Sequence, residues 1–150
     1  MVVRNVNLKF NSILEPLDLN EVKYIVVHHA EASKASVDDI HRWHIDNGWA
    51  GIGYNEYIRK DGSVYIGRGD NIGANCKGFN AISYGICCEG DYSKEEMPSA
   101  QFDALVEKIK YNKNRFPNFE DVKKHSELNN TACPGSKFPW ALLLDSIFAE

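Results

Sequence analysis

The sequence predicts an α/β fold in which a mixed central β-sheet is flanked by helices, and three observations support this prediction. Residues 24–29 (YIVVHH) are apolar on both alternating faces, as in a central strand that is covered on each side. Segments with strand-like and helical patterns follow one another along the chain. The pair Asp61-Gly62 lies between two strand-like segments and predicts a hairpin.

The chain begins with an arm and passes through the central strand into a helix. Residues 1–21 are mixed in character and contain Pro16, and we expect them to form a short strand or arm leading into the core. Residues 36–39 (SVDD) resemble a capping box, which predicts a helix running to about Asn47 and ended by Gly48. The predicted inward stripe of this helix consists of Ile40, Trp43 and His44.

Further strand-like segments supply the rest of the predicted sheet. Residues 54–59 and 63–67 flank the hairpin turn. Residues 81–89 have the composition of another buried strand, and Val122 lies in a short extended piece that leads to His125.

Two more helices are predicted to cover the sheet. The first begins at Pro98 and has apolar residues at helical spacing. These residues are Phe102, Leu105, Val106, Ile109 and Phe116. The second, over residues 140–148, follows a turn-rich loop over 129–136. The chain shows no repeat or linker, so we predict one domain over residues 1–150.

Composition and charge exclude several classes of protein. The 150 residues are 43% hydrophobic and 25% charged, as in ordinary globular domains. The net charge is -4 and the basic residues are scattered, which argues against a nucleic-acid partner. The densest basic group is interpreted as a solvated helix face and comprises Lys108, Lys110, Lys113 and Arg115. No segment approaches the roughly 20 apolar residues that span a bilayer, so we expect no membrane association. We also expect a monomer.

The N-terminal residues also bear on the cellular compartment. Residues 1–10 lack the apolar stretch of a secretory signal, so we expect synthesis in the cytoplasm and reduced thiols. Of the four cysteines, Cys87 and Cys88 are adjacent in a predicted strand and are interpreted as small core residues.

Three side chains have the chemistry of a zinc site, namely His28, His125 and Cys133. Zinc favours imidazole and thiolate ligands, and a catalytic site leaves a fourth position to water. Spacing alone is a weak argument, because a His/Cys pair eight residues apart is usually coincidental. The other histidines are interpreted as packed core or core-edge residues; they are His29, His41 and His44.

The order of the motifs is more specific than any one of them. From residue 24 to residue 135 the sequence resembles the N-acetylmuramoyl-L-alanine amidases, in particular the phage-lysozyme-type amidases and the peptidoglycan recognition proteins. The segments that carry this resemblance are YIVVHH at 24–29, WH at 43–44, GW at 48–49, GIGYN at 51–55, DG at 61–62, GR at 67–68, GA at 73–74, KG at 77–78, Asn80, Ser83, Gly85, His125 and TACPG at 131–135.

The resemblance implies an amidase-like fold and roles for individual residues. It implies Zn²⁺ as the cofactor, with His28, His125 and Cys133 as its ligands. It implies that Tyr54 and Thr131 lie close to the reacting water and the scissile carbonyl, although some relatives carry lysine where Thr131 stands. The predicted substrate-groove residues are Trp49, Asn75 and Phe79.

Two of these groove residues keep a second interpretation, and the third departs from the family. Trp49 and Phe79 would serve equally well as core residues. The family often has histidine at the position of Asn75, which leaves the implied ligand set intact.

The function implied is zinc-dependent hydrolysis of the amide between N-acetylmuramic acid and L-alanine in peptidoglycan. The protein would be a phage or prophage endolysin, or an autolysin, that acts on the cell wall after release from the cytoplasm. One alternative is a peptidoglycan-binding module of the same fold that does not cut. The other is a thiol hydrolase with Cys133 as nucleophile and His125 as base.

Overall fold

A computed structural model describes residues 2–149, so Met1, the first residue of the predicted arm, and Glu150 lie outside it. Six strands form one sheet in the order β1-β4-β3-β5-β2-β6. The strands are β1 (Val3–Arg4), β2 (Tyr24–His29), β3 (Glu56–Ile58), β4 (Val64–Ile66), β5 (Ser83–Cys88) and β6 (Asp121–Lys124). The helices are α1 (Val37–Asp46), α2 (Ser99–Lys113), α3 (His125–Leu128) and α4 (Trp140–Phe148), and two 3₁₀ turns lie at Leu19–Glu21 and Asn80–Ile82.

The sheet is mixed, which confirms the predicted fold class. Only β3 and β4 pair antiparallel among the described strands, and they form the hairpin expected from Asp61-Gly62. The Asp61 carboxylate accepts hydrogen bonds from the backbone N–H of Ser63 at 2.9 Å and from its hydroxyl at 2.6 Å. Gly62 has φ +87°, a conformation that side chains disfavour. All other strand pairs are parallel.

Apolar residues lie on both faces of the sheet, as the pattern of the central strand predicts. Ile25 and Val27 of β2 face the larger core, which is covered by α2 and α4. The smaller core, on the other face, contains Val37 and Ile40 of α1. Cys87 belongs to the smaller core and Cys88 to the larger, so the two thiols point to opposite faces. Burial of each such aliphatic side chain contributes about 1.5–3 kcal/mol to stability.

Helix α1 begins at the predicted capping box, but its inward stripe differs from the prediction. The Asp39 backbone N–H donates to Ser36 Oγ at 3.1 Å, and the Ser36 N–H donates to the Asp39 carboxylate at 3.0 Å. Trp43, expected to face inward, is 40% exposed. The buried stripe instead uses Val37, Ile40 and His41, because these positions follow the i, i+3, i+4 period of a helix.

Helix α2 corrects the interpretation of the basic group as a solvated face. Lys108 is buried, and its Nζ lies 3.2 Å from a carboxylate oxygen of Glu56 on β3. Asn112, also buried, donates to the other Glu56 oxygen at 3.2 Å. Lys110 is exposed, as expected. The sequence pattern of the helix could not reveal this ion pair, since the carboxylate partner comes from a distant strand.

The described part of the chain contains no helix with the length and apolar character needed to cross a bilayer.

Candidate functional site

The three predicted metal ligands meet at one edge of the sheet. His28 lies at the end of β2, and His125 directly follows β6, which pairs in parallel with β2. The carboxyl ends of parallel neighbours share one edge, so the two imidazoles come together, with ring centroids 4.5 Å apart. Cys133 arrives on the loop after α3, and its carbonyl accepts from the backbone N–H of Ser126 at 3.0 Å.

One donor atom from each of the three residues lies within 4.8 Å of the others. The Sγ atom of Cys133 is 3.7 Å from Nδ1 of His28. Two imidazole nitrogens and one sulfur form a donor set that zinc accepts, with a fourth position available for water. The residues present therefore fit the metal that the family resemblance implies.

The protonation of His28 and Cys133 is governed by burial. Burial, followed by the nearby His125, lowers the pKa of His28 to about 3, so its ring is neutral and able to coordinate a cation. Burial raises the pKa of the Cys133 thiol to about 12, against the opposing effect of the His29 backbone N–H, which donates to Sγ at 3.4 Å. Because zinc coordinates the thiolate, metal uptake at this site would release a proton.

A cavity of about 510 Å³ opens above the three donors. This is the volume of a small-molecule or peptide subsite. Its lining residues are His28, His29, Ala30, Glu31, His44, Trp49, Tyr54, Ala74, Asn75, Cys76, Lys77, Asn80, His125, Asn129, Thr131 and Cys133.

Tyr54 and Thr131, the predicted catalytic residues, both line this cavity. The Tyr54 ring packs against His28 with centroids 5.0 Å apart. Burial, and then the nearby Cys87 and Cys133 thiols, raise the pKa of Tyr54 well above its usual range, so the phenol keeps its proton. Thr131 Oγ1 accepts from the backbone N–H of Cys133 at 3.2 Å, which leaves the hydroxyl hydrogen available for donation.

Of the three predicted groove residues, two line the cavity and one does not. Trp49 is 43% exposed and lines the cavity. Phe79 is absent from the cavity wall among the described residues, and its ring lies edge-on to Tyr24 at 6.4 Å. Asn75 lines the cavity, but its amide contacts His28: Asn75 Oδ1 is 3.1 Å from His28 Nε2.

His44 is a cavity residue that sequence reasoning interpreted as core-edge packing. Its Nδ1 accepts from the backbone N–H of Gly53 at 2.8 Å, and its ring packs against Trp49 and Tyr54. Burial, and then Arg68, lower its pKa to about 4, so the ring is neutral. Since Nδ1 is an acceptor, the hydrogen sits on Nε2. The sequence feature that could have indicated this role is the GW pair at 48–49. It follows the helix so closely that the chain can turn back and bring Trp49 against His44.

Asn129 was not singled out from the sequence. Its Oδ1 lies 2.8 Å from His125 Nε2. Nothing in the local pattern distinguishes it from the other turn formers of the loop, because its role depends on how the loop folds back.

His29 and His41 have structural hydrogen bonds, in agreement with their interpretation as packed residues. His29 Nδ1 accepts from the Tyr92 backbone N–H at 3.0 Å. His41 Nδ1 accepts from the Ile52 backbone N–H at 2.9 Å, and its Nε2 donates to the Lys9 carbonyl at 2.8 Å.

The geometry does not favour a thiol nucleophile. The Cys133 sulfur lies 3.7 Å from Nδ1 of His28, and all three donor atoms lie within 4.8 Å of one another, so His125, the base expected in that alternative, is not singled out as the partner of the sulfur. With its pKa raised to about 12, the thiol lacks the stabilisation that activates catalytic cysteines.

The chain is similar in sequence to a phage endolysin and to an insect peptidoglycan-recognition protein. The chain is 39% identical over 87 residues to an endolysin of Klebsiella phage KP32, a match covering 55% of this chain and 57% of that protein. It thus spans about half the length of this phage relative. It is 33% identical over 129 residues to peptidoglycan-recognition protein SC2 of Drosophila melanogaster, covering 78% of this chain and 70% of that one.

Solved structures extend the similarity to nearly the whole chain. The endolysin N-acetylmuramoyl-L-alanine amidase LysCS from Clostridium intestinale superposes with a TM-score of 0.88 at 33% identity, covering 95% of this chain and 92% of the other. Peptidoglycan recognition protein LE in complex with tracheal cytotoxin superposes with a TM-score of 0.82 at 27% identity, covering 93% and 88%. Residues 18–136 match the family described as N-acetylmuramoyl-L-alanine amidase (Amidase_2). The resemblance drawn from the motifs is confirmed, and this chain belongs to the N-acetylmuramoyl-L-alanine amidase family.

Proposed function

We propose that the protein is a zinc-dependent amidase that hydrolyses the bond between N-acetylmuramic acid and L-alanine in bacterial peptidoglycan. The observation that carries the proposal is the convergence of His28, His125 and Cys133 within 4.8 Å beneath an open cavity. Membership of the amidase family supports the reaction type. A related recognition protein in complex with tracheal cytotoxin, a monomeric peptidoglycan fragment, supports the substrate class.

The metal would be held by His28, His125 and Cys133. A zinc ion held by these residues would supply Lewis-acid chemistry for activating a water molecule and the scissile carbonyl. The presence of Cys133 favours catalysis over the alternative of a binding module that does not cut. A chain without this cysteine would lack the third metal ligand and would be expected only to bind.

Tyr54 and Thr131 would stabilise the charge that develops during the reaction. Attack on the amide places negative charge on the carbonyl oxygen, and a positioned hydroxyl donor there contributes about 3 kcal/mol. Tyr54 stays protonated because of its raised pKa, and Thr131 keeps a hydrogen to donate, so both are suited to this role.

The cavity wall would hold the substrate in place. His44 fixes the backbone of Gly53, and its ring packs edge-on to the Trp49 indole at 4.6 Å between centroids. Trp49 would then offer an apolar surface to the glycan–peptide junction next to the donors.

The test is digestion of purified peptidoglycan by the zinc-loaded protein, followed by mass analysis of the products. We expect new L-alanine amino termini and no new reducing ends. Cys133→Ala serves as the inactive control. New reducing ends would indicate a glycosidase, and binding to the polymer with no new termini would establish the non-cutting module instead.

We also propose that the protein acts as a monomer on the cell wall after release from the cytoplasm, as an endolysin or autolysin. The similarity to a phage endolysin supports this placement. Lysis of a producing culture only after the membrane is permeabilised would agree with it, and lysis with an intact membrane would contradict it.

A further inference from the structure

We propose that Asn75 and Asn129 are a matched pair of positioning residues for the metal centre. Each accepts a hydrogen bond from Nε2 of one ligand histidine, so that Nδ1 of both histidines is presented to the metal. This inference rests on the proposed function, since it assigns the support of the same three-ligand site.

The first half of the pair is Asn75 with His28. Asn75 Nδ2 donates to the Gly53 carbonyl at 2.8 Å, and a carbonyl cannot bond the amide oxygen, so the amide orientation is fixed. Its Oδ1 therefore faces His28 Nε2 at 3.1 Å and requires a hydrogen on that nitrogen. The lone pair of the neutral ring is then on Nδ1, the nitrogen beside the Cys133 sulfur.

The second half repeats this arrangement on His125. Asn129 Nδ2 donates to the carbonyls of Lys77 at 3.1 Å and Leu128 at 2.9 Å, which again fixes the amide. Its Oδ1 faces His125 Nε2 at 2.8 Å. Both ligand histidines thus have the same tautomer, set by a neutral carboxamide acceptor.

One loop supports both halves. It carries Asn75 itself and the Lys77 carbonyl that holds Asn129. Asn80 Oδ1 secures the loop by accepting from the backbone N–H groups of Asn75 at 3.1 Å and Cys76 at 2.9 Å. The supports of the two imidazoles, which are distant in sequence, are therefore connected through this loop.

Two glycines make room for the Asn75 amide. A Cβ atom on Gly85 of β5 would overlap the Asn75 amide, and one on Gly73 would overlap its Nδ2 atom. Because the Asn75 side chain is closely fitted, it cannot rotate away from His28. A residue that positions a ligand must be held in this way.

The acceptors are uncharged, which matters for the metal. Two neutral imidazoles and one thiolate leave a zinc site with one net positive charge, and a carboxamide does not reduce it as a carboxylate would. The site therefore combines fixed ligand orientation with retained Lewis acidity.

The test measures Zn²⁺ affinity by competition with a chelating dye, in full-length protein stripped of metal. We expect Asn75→Ala and Asn129→Ala each to weaken Zn²⁺ binding by about 10–100-fold. Asn112→Ala is the matched control: it removes a buried asparagine that bonds Glu56, far from the ligands, and should lower thermal stability with unchanged Zn²⁺ affinity. Ligand-field absorption of the Co²⁺-substituted proteins should change in the two test variants and not in the control.

The outcomes separate this inference from the proposed function. Tight Zn²⁺ binding by the wild type with affinity within about twofold in both variants would overturn the positioning role and leave the amidase proposal standing. Failure of the wild type to bind Zn²⁺ would overturn the ligand set itself. Asn129 is half-buried on a loop, so Asn129→Ala keeps the test decisive should Asn75→Ala not fold.

Discussion

At the scale of single residues, the site depends on donors that are buried or half-buried and are not paired with opposite charge. His28 is neutral because it is buried, and Cys133 is held by a backbone N–H and not by a cation. Packing alone does not explain these side chains, since apolar residues would fill the same volume without the free-energy cost of burying polar groups. The chemistry of each side chain can therefore be tested by single replacements.

Replacement of a ligand should remove the metal. We expect Cys133→Ala and His125→Ala to lose stoichiometric zinc and amidase activity, and to melt at a lower temperature, because metal binding free energy contributes to folding. Metal analysis of the purified proteins and thermal unfolding measure this. Cys76→Ala is the control, because Cys76 is a buried cavity residue outside the ligand set and should keep its zinc. Full zinc content in either ligand variant would contradict the assignment.

Removal of the Tyr54 hydroxyl should slow the reaction without disturbing the metal. We expect Tyr54→Phe to fold, to bind zinc and to cleave peptidoglycan about 10²–10³-fold more slowly, as for loss of one oxyanion donor. Tyr57→Phe is a matched control, since the Tyr57 hydroxyl donates to the Ala35 carbonyl at 2.8 Å on the core side. It should affect stability and not kcat. Equal turnover in Tyr54→Phe and wild type would remove Tyr54 from the mechanism.

At the scale of elements, a buried carboxylate ties the end of β5 to its neighbours. Glu89 accepts from Arg59 at 2.9 Å and from the backbone N–H groups of Lys60 at 2.9 Å and Ala35 at 2.8 Å. Burial alone would raise its pKa, but the Arg59 hydrogen bond and the two backbone donors reverse the effect and hold the pKa below its ordinary value. The Glu89 carboxylate and its three partners, called here the Glu89 clamp, thus join the hairpin to the segment that leads into α1.

The pH dependence of stability should report this clamp. The pKa of Glu89 is lower in the folded state than in the unfolded chain, so its stabilisation is complete above the unfolded pKa and is lost as the pH falls through the folded value. We expect Glu89→Gln to lower the free energy of unfolding by about 1–3 kcal/mol at neutral pH.

As the pH falls from about 6 to 3, the free energy of unfolding should also decrease less in Glu89→Gln than in the wild type. Denaturant titrations of both proteins across this range measure the difference. Parallel pH profiles would show that another carboxylate carries the effect.

How far the elements could be predicted depends on where their partners lie. Strand β2, the capping box of α1 and the hairpin turn were predictable, because local patterns determine them. The exposure of Trp43 and the burial of Lys108 were not, since each depends on what the sheet presents to the helix. The ligand set followed from the family resemblance, whereas the roles of Asn75 and Asn129 arise only when the loops meet.

At the scale of the whole molecule, the metal would link two neighbouring parallel strands at the carboxyl edge that they share. His28 is supplied by β2, while His125 and Cys133 are supplied by the segment after β6. A bound ion would therefore cross-link β2 to the C-terminal segment, in addition to their strand pairing. Its contribution should be visible in the stability of the entire domain.

Chelation should lower both stability and activity in a reversible manner. We expect a chelator to abolish amidase activity and to reduce the melting temperature, and added zinc to restore both, because a ligand that binds only the native state stabilises it. Cys133→Ala should show no response to either treatment. An enzyme indifferent to chelator but inactivated by a thiol alkylator would support the Cys133 nucleophile instead.

The pairing of β2 with β6 has a consequence for biosynthesis. Cys133 lies 105 positions after His28, so a chain still emerging from the ribosome holds one donor long before it acquires the others. Closing so long a segment is entropically unfavourable until the strands dock. A nascent fragment that ends before His125 lacks two of the three donors, so the proposed metal site can form only after the chain has been synthesised past Cys133.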